Sequence, residues 1–357
     1  MLKLMAFAET ITPAWLRENL LESTHFHAIR ALTKSVIYKS PVTVIFRLLL
    51  EYDEGERNNR PDSLLLKIKK ANEDTEVGQK EVTFYNYLLP LLEGISTVKC
   101  YYAGFVEKKA LSCIIMEDLT QTHSSPEFAL PPPFIQCEEA MRSLARFHGS
   151  CWDHGAVLEQ VVERAGRFTH RNFMTTRFAE TEELVERFLF FMGDRLADQR
   201  RSLYTKLVQS GGRLLAERLN RSKHLTLVHG DAHLWNFLYA NEASNDGNRA
   251  AIVLDWEYWD VGVGPTETAY AVALWMFPEQ RKAVENKLML TYHNELVSSG
   301  VSGYSWNQCR HDYRIGLLQN LLYPVWHWHN GERAELWWNH LERALLAAQD
   351  SGCEELL

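Results

Sequence analysis

The hydrophobic period changes once along this chain, and that change limits the folds open to it. The first third holds short apolar runs of strand length, RALTKSVIY, TVIFRLLLEYD, SLLLKI, TVKCYYAGFVE and ALSCIIME. One stretch of helical spacing, from Glu76 to Leu92, interrupts them. Lys39-Ser40-Pro41 divides the first run from the second, because proline is disfavoured inside a central strand. Polar EGERNNRPDS reads as an exposed loop before the third run. Three strands, a helix and two strands in that order build a small, mostly antiparallel lobe. Its edge falls where MEDL passes into the proline-bearing QTHSSPEFALPPP. Beyond it the pattern is that of long helices: FIQCEEAMRSLARFHGSCWD, the stretch from Thr181 to Leu219, TETAYAVALWM, and AELWWNHLERALLAAQ. The first places Ala140, Leu144 and Phe147 or His148 on one core-facing side, and the longest is expected to break near Gly211-Gly212 or earlier. Thr12-Pro13 before AWLRENLLE starts a leading helix, threonine capping the exposed amides and proline suiting the first turn. The expected fold is α+β and bilobal, with a small antiparallel-sheet N-terminal lobe over 1–118 and a larger, mainly helical C-terminal lobe over 119–357.

Composition narrows the function classes. The 357 residues are 46% hydrophobic and 24% charged, enough to bury a sizeable core and incompatible with wholesale disorder. Net charge is -8 with no conspicuous basic stripe, which argues against a nucleic-acid partner. The cysteines at 100, 113, 137, 151, 309 and 353 form no CxxC pair or dense scaffold, so a reduced, cytoplasmic protein is expected. MLKLMAFAETITPAWL meets Glu9 too early for a signal peptide, and no apolar run approaches the roughly 20 residues of a membrane span.

The chemistry concentrates between Leu225 and Asp260, where LTLVHGDAHLWNFLY is followed by a polar loop and AIVLDWEYWD. LTLV and AIVLDW read as strands around a functional loop, with Asp231 and Asn236 five positions apart and Asp255 ending the second strand. Phosphoryl transfer needs a carboxylate near the acceptor hydroxyl and oxygen ligands for a metal that neutralises phosphate charge. Asp231 suits the first role; Asn236 and Asp255 suit magnesium. Taken singly, each would be a loop or strand-end cap, and their weight comes from the whole segment. His229 and His233 fit hydrogen-bonding roles in the loop; a zinc site is set aside because no third histidine or cysteine follows at ligand spacing.

HGDxHxxN, an apolar strand and DWE resemble the catalytic and metal loops of the aminoglycoside phosphotransferase and choline kinase-like superfamily, and especially its ecdysteroid-kinase-like and uncharacterised bacterial branches. That resemblance implies a protein-kinase-like fold. It also implies that Asp231 positions or deprotonates the acceptor, that Asn236 helps bind metal and that Asp255 binds magnesium. Lys67 in LLLKI resembles the lysine that contacts nucleotide phosphates, and Glu81 in QKEVTFY its helix partner. IIMEDL resembles the interlobe hinge, whose backbone at Met116, Glu117 and Asp118 would bind adenine. LARFHGSCW resembles the helix that follows. The matches run in order through about 35 to 270. KSP lacks the glycines of a phosphate-covering loop, leaving Ser40 and nearby amides to cradle phosphate less tightly, and GPTETA carries Glu267 where many relatives have aspartate.

The function expected is an ATP-dependent phosphotransferase acting on the hydroxyl of a small molecule, with magnesium, and with GTP as the alternative nucleotide. Two other readings stand beside it: a non-catalytic nucleotide or metabolite sensor, suggested by the glycine-poor loop, and a protein kinase, disfavoured because no APE-like element follows Asp255. Trp256, Trp259, Trp275, Trp306, Trp326, Trp328, Trp337 and Trp338 are read mainly as core, with a pocket for a steroid, lipid-like alcohol or quaternary amine as the second option. Glu257, Asp260 and Glu267 are read as solvated or fold-supporting, or as attraction for a cationic substrate. Acceptor identity and oligomeric state stay open at this stage.

Overall fold

The computed structural model describes residues 2–20, 26–53, 60–70, 76–165, 171–221, 223–241 and 250–357. Part of the polar EGERNNRPDS run and of the loop before Ala250 lies outside the described residues. The chain forms two compact units. The first comprises the described residues within Met1–Ser124, Ala240–Gly247 and Ile252–Tyr258; the second comprises those within Ser125–Tyr239, Asn248–Ala251 and Trp259–Leu357.

The first unit is built on a five-stranded antiparallel sheet: β1 (Ile29–Lys39), β2 (Thr43–Tyr52), β3 (Ser63–Lys70), β4 (Cys100–Val106) and β5 (Leu111–Glu117), in spatial order β1-β2-β3-β5-β4. The two-residue side-chain period of β3 sends Leu64, Leu66 and Ile68 to one face, where they are fully buried, and Lys67 to the other. Lys67 stands opposite Ile45 on β2 and Ile114 on β5. The leading helix Pro13–Asn19 starts as expected, with the Thr12 hydroxyl accepting from the Trp15 amide at 3.2 Å. A further short helix, Leu2–Ala8, precedes it and puts Leu4 and Ala8 into the cluster formed by Leu48, Leu64 and Leu66. The helical spacing before Leu92 resolves into an α-helix, Glu76–Thr83, a π turn, Phe84–Leu88, and a 3-10 turn at Pro90.

The second unit is mainly helical. Helix Phe134–Ser150 buries Ala140, Leu144, Phe147 and His148 on one side, as its spacing predicts. The long stretch after Thr181 breaks at Gly193, whose φ of 54° leaves the helical region, and resumes at Asp198. At Gly211-Gly212 it does not break: a π turn, Leu207–Gly211, leads directly into helix Gly212–Asn220. The core gathers Phe188, Tyr204, Leu317, Leu321, Leu341 and Ala344. Thr226–Val228 pairs antiparallel with Asp260–Gly262, so the segment before the HGD loop and the segment after DWEYW form one small ladder. Among the described residues no helix is long and apolar enough to cross a membrane.

Candidate active site

Within the first unit, β3 delivers Lys67 to a buried charge cluster. Its ammonium donates to both Glu81 oxygens at 2.8 and 2.9 Å, to Asp255 Oδ1 at 2.6 Å and to Glu257 Oε1 at 3.2 Å. Lys69, two positions along the same face, donates to the other Glu257 oxygen. Glu81 arrives from helix Glu76–Thr83 and Asp255 from the loop after Ile252–Val253, so Lys67 meets a carboxylate 188 positions away as well as one 14 away. Asp255 adopts φ 65°, a left-handed conformation that costs about 1–3 kcal/mol in a non-glycine residue and persists only where its surroundings enforce it. Trp256, the next residue, is firmly held. Fully buried, it stacks on Phe84 at a centroid distance of 3.9 Å and donates its indole N–H to Thr97 Oγ1 at 2.9 Å.

Three carboxylates sharing two ammonium groups leave the cluster one negative charge in excess. Burial penalises charge on Asp255, but Lys67 and Lys69 outweigh it and hold the carboxyl below the usual range. Burial and the negative neighbours Asp255 and Glu257 push Glu81 up to about 7 against the pull of Lys67. Burial alone would discharge Lys67; Glu81, Asp255 and Glu257 keep its pKa well above that of a free lysine. The carboxylate oxygens of Glu81, Asp255 and Glu257 lie within 4.8 Å of one another, the one such grouping among the described residues and an all-oxygen set of the kind hard divalent cations prefer.

In the second unit, Gly230 at φ 84° turns the chain so that Asp231 leaves the ladder on a tight loop. Glu267 holds that turn. Its two oxygens accept the backbone N–H groups of His229, at 2.7 Å, and Gly230, and the first of them also meets His148 Nε2 at 2.9 Å. His148 is anchored in turn by Tyr292 Oη at 2.7 Å from Nδ1. A side chain at Gly264 would strike Tyr292 and His148, so the GPTETA helix comes close enough for Glu267 to reach the loop only because its first residue is glycine. Burial works against the Glu267 charge, but the His148 hydrogen bond, His229 and the backbone donors hold its carboxyl below the ordinary glutamate range. The glutamate in place of aspartate is thus a loop clamp, not a gap in support.

Asp231 itself accepts the Tyr270 hydroxyl at Oδ1, 2.7 Å away, and its Oδ2 lies 3.7 Å from His233 Nε2. Asn236 donates its amide to the Asp231 carbonyl at 2.9 Å, which orients the amide oxygen away; no donor among the described residues reaches that oxygen. His229 is fully buried and accepts the Asp231 amide at 3.2 Å, a structural role. Beside the loop a cavity of about 380 Å³ is lined by Phe128, Trp235, Trp275, Leu336, His340 and Arg343.

The remaining candidates lie on the sheet. Ser40 closes the β1–β2 turn: its hydroxyl oxygen accepts from the amides of Val42, 3.3 Å, and Thr43, 2.9 Å. Met116 and Glu117 end β5, and the Glu117 amide donates to the Lys99 carbonyl at 2.9 Å. Asp118 binds Arg47 and Ser63, each at 2.8 Å, and Thr120 at 2.6 Å; these donors overcome its burial and lower its pKa. Of the readings open for Glu257, solvated, fold-supporting or substrate-attracting, the structure agrees with fold support: it is 1% exposed and committed to Lys67 and Lys69. Tyr270 and Trp235 were not singled out by sequence reasoning, and His148 was read only as a core-facing position. Only the closeness of Trp235 to Asn236 in the motif signals it; Tyr270 and His148 act through tertiary contacts. Trp256 and Trp259 are core, as most of the tryptophans were expected to be, while Trp338 is exposed.

An antiparallel sheet bearing a lysine–glutamate pair and a helical unit bearing an HGDxHxxN loop define a protein-kinase-like fold, and solved structures agree. A protein from Ralstonia eutropha assigned as an aminoglycoside phosphotransferase is 15% identical, with a TM-score of 0.57 over 96% of this chain and 97% of that one. An ethanolamine kinase from Plasmodium vivax is 10% identical, with a TM-score of 0.56 over 96% and 89%. Aminoglycoside 2'-phosphotransferase-IIIa in complex with GDP is 14% identical, with a TM-score of 0.54 over 91% and 93%. The model of the ecdysteroid kinase-like family matches residues 41–300, and the chain belongs to that family. No curated protein sequence matches.

Proposed function

We propose that this protein is a cytoplasmic, ATP-dependent phosphotransferase that moves the γ-phosphoryl group to the hydroxyl of a small molecule. The observation that carries the reading is the convergence of Lys67, Glu81 and Asp255, 188 positions apart at the extremes, on one buried ionic cluster. A lysine fixed in this way is a donor for phosphate oxygens whose charge grows in the transition state. Asp231 serves as the acceptor's base: Tyr270 donates to Oδ1 at 2.7 Å and Asn236 Nδ2 to Oδ2 at the longer 3.4 Å, and Oδ2 is the oxygen proposed to take the hydroxyl proton. Clamped by Glu267, the loop holds that carboxylate without reorganisation, and catalysis rests on positioning rather than a covalent intermediate. Asn236 and Asp255 are the proposed magnesium ligands, the former through its undonated amide oxygen and the latter through a carboxylate kept ionised. When bound, magnesium would neutralise charge on the phosphates. Met116, Glu117 and Asp118 are proposed to contact the base, and the Ser40 turn to lie over the phosphates. The six cysteines stay thiols, which suits a reducing compartment.

The test is to incubate the protein with magnesium and ATP or GTP, screen a library of alcohols and aminoglycosides by mass spectrometry for an added phosphoryl group, and run Asp231→Asn alongside. A product that disappears in the variant supports the reading. Tight nucleotide binding with no transfer across the library favours the sensor, and neither binding nor transfer sinks both.

A further inference from the structure

The second unit holds a basic cavity that phosphoryl transfer leaves unexplained. About 470 Å³ in volume, it lies at the N-terminal end of helix Trp306–Asn320, with Arg218, Arg221, Lys223, His224, His311 and Asp312 in its wall. Three permanent cations face one carboxylate there, in a chain whose net charge is -8. That one carboxylate is already saturated. Asp312 accepts Arg218 Nε at 2.7 Å and Nη2 at 2.8 Å, and the Tyr304 hydroxyl at 2.8 Å. The Arg218 guanidinium balances its charge, which leaves Arg221 and Lys223 as the excess cations of the wall.

Arg218, 5% exposed, does a second job. Its guanidinium donates to the carbonyls of Lys223 at 2.9 Å and His224 at 3.1 Å, fixing the backbone that carries both side chains. The cavity is thus a built feature and not a chance meeting of surface lysines. Arg221 and Lys223 are exposed and enter no ion pair among the described residues, although carboxylates outnumber cations in the chain. The His224 Nδ1 atom is shielded from solvent without a hydrogen-bond partner, with an Asp153 oxygen 3.5 Å away. Ser305 and Gln308 form a capping box at the start of the helix, so its first turn is rigid and its dipole adds positive potential at the cavity.

We propose that this cavity binds the phosphate group of a small dianionic ligand. A phosphate monoester carries about -1.5 to -2 charges at neutral pH, which Arg221 and Lys223, the two lining cations not paired with Asp312, would offset. The Arg221 guanidinium would recognise its oxygens by paired donors and Lys223 as a point charge, while Arg218, committed to Asp312 and to the Lys223 and His224 carbonyls, holds the wall in place. The volume exceeds what a bare phosphate ion fills and falls within the range of small-ligand pockets of about 300–1,000 Å³, so the expected source is a phosphorylated metabolite rather than free phosphate. The site shares no residue with the Lys67 cluster or with the Asp231 loop and stands whether or not the chain transfers phosphoryl groups.

The experiment titrates the full chain with glycerol 3-phosphate, inorganic phosphate and, at matched ionic strength, chloride, by calorimetry and thermal unfolding. It is repeated with a non-hydrolysable ATP analogue at saturation, to occupy any phosphate subsite of a nucleotide pocket. Arg221→Ala/Lys223→Ala changes two exposed side chains and should keep the unliganded Tm of the parent. The expected result is saturable binding of glycerol 3-phosphate that survives the ATP analogue, is tighter than that of inorganic phosphate, and weakens about tenfold or more in the double variant. Equal binding of both phosphates keeps the site and overturns the metabolite assignment. Binding no stronger than chloride, binding abolished by the ATP analogue, or equal affinity in the double variant overturns the site itself.

Discussion

The Tyr270 hydroxyl donates to Asp231 Oδ1 across 2.7 Å, and Tyr270 sits three residues beyond Glu267, which clamps the turn preceding Asp231. One short segment, a helix running into a π turn, therefore fixes both the loop and the carboxylate it carries. Burial and the nearby Asp231 charge raise the Tyr270 pKa well above that of a free phenol, so the hydroxyl keeps its proton and remains a donor at any working pH.

Tyr270→Phe retains the ring and removes only that donor. With an acceptor found by the screen, kcat is expected to fall about 10- to 100-fold, because a misaimed carboxylate costs rate even where binding is intact. The nucleotide KM should move little, and stability should drop by about 1 kcal/mol, the net worth of one hydrogen bond. A kcat equal to that of the parent chain would show that Tyr270 does not aim Asp231.

Glu267→Gln tests the clamp through pH. The folded carboxyl titrates below its ordinary 4.5, so the charged clamp contributes stability that is present in full above that value and is lost as pH falls through the lowered folded pKa. The stability difference between parent and variant should be greatest at pH 6 to 7 and shrink towards pH 3. Glu267→Ala orphans two backbone N–H groups and His148, each at a cost of about 1–3 kcal/mol, and should lower Tm at neutral pH by more than Gln does. A constant difference across the pH range, measured by urea unfolding, contradicts the charged clamp.

What could be read from sequence followed the range of the interactions involved. The strands of the sheet were legible because alternation is local, and the HGDAHLWN and DWE segments because their groups lie a few positions apart. The Glu267 clamp was not, since its partners come from positions 148, 229 and 230, with Tyr292 anchoring His148 behind them, and no window holds them together. For Glu257 the sequence left solvation, fold support and substrate attraction open, because its two lysines lie about 190 positions away on β3. Helix Leu2–Ala8 was missed for another reason. Seven residues are fewer than the roughly 12–15 that make a helix even marginal alone, and it exists because Leu4 and Ala8 are buried against the sheet. The long stretch, expected to break near Gly211-Gly212 or earlier, breaks at the earlier Gly193, since either glycine permits an end and only packing selects one.

The Lys67 cluster predicts a metal response with a definite pH sign. Glu81 is pushed up to about 7 from 4.5, so between those values the folded chain holds a proton that the unfolded chain has released, and stability falls as pH rises through the window. A divalent cation competes with that proton and relieves the excess negative charge. Magnesium alone, without nucleotide, should raise Tm more at pH 8 than at pH 6, and Glu81→Gln should reduce the difference. The same shift at both pH values would place the cation elsewhere.

Trp256 joins two of the three carboxylates that Lys67 holds: its ring lies against Phe84, three residues after Glu81, and its own position follows Asp255. Two variants separate its packing from its hydrogen bond. Trp256→Phe keeps a ring to stack and loses the donor to Thr97, at an expected cost of about 1 kcal/mol plus whatever volume the smaller ring leaves unfilled. Trp256→Ala opens a cavity in a fully buried position and should cost about 3–5 kcal/mol. The left-handed φ at Asp255 is sustained only while its neighbours enforce it, so the alanine variant should lose nucleotide affinity at temperatures where circular dichroism still reports a folded chain. If its nucleotide affinity matches that of the phenylalanine variant under those conditions, Trp256 stabilises the unit without positioning Asp255.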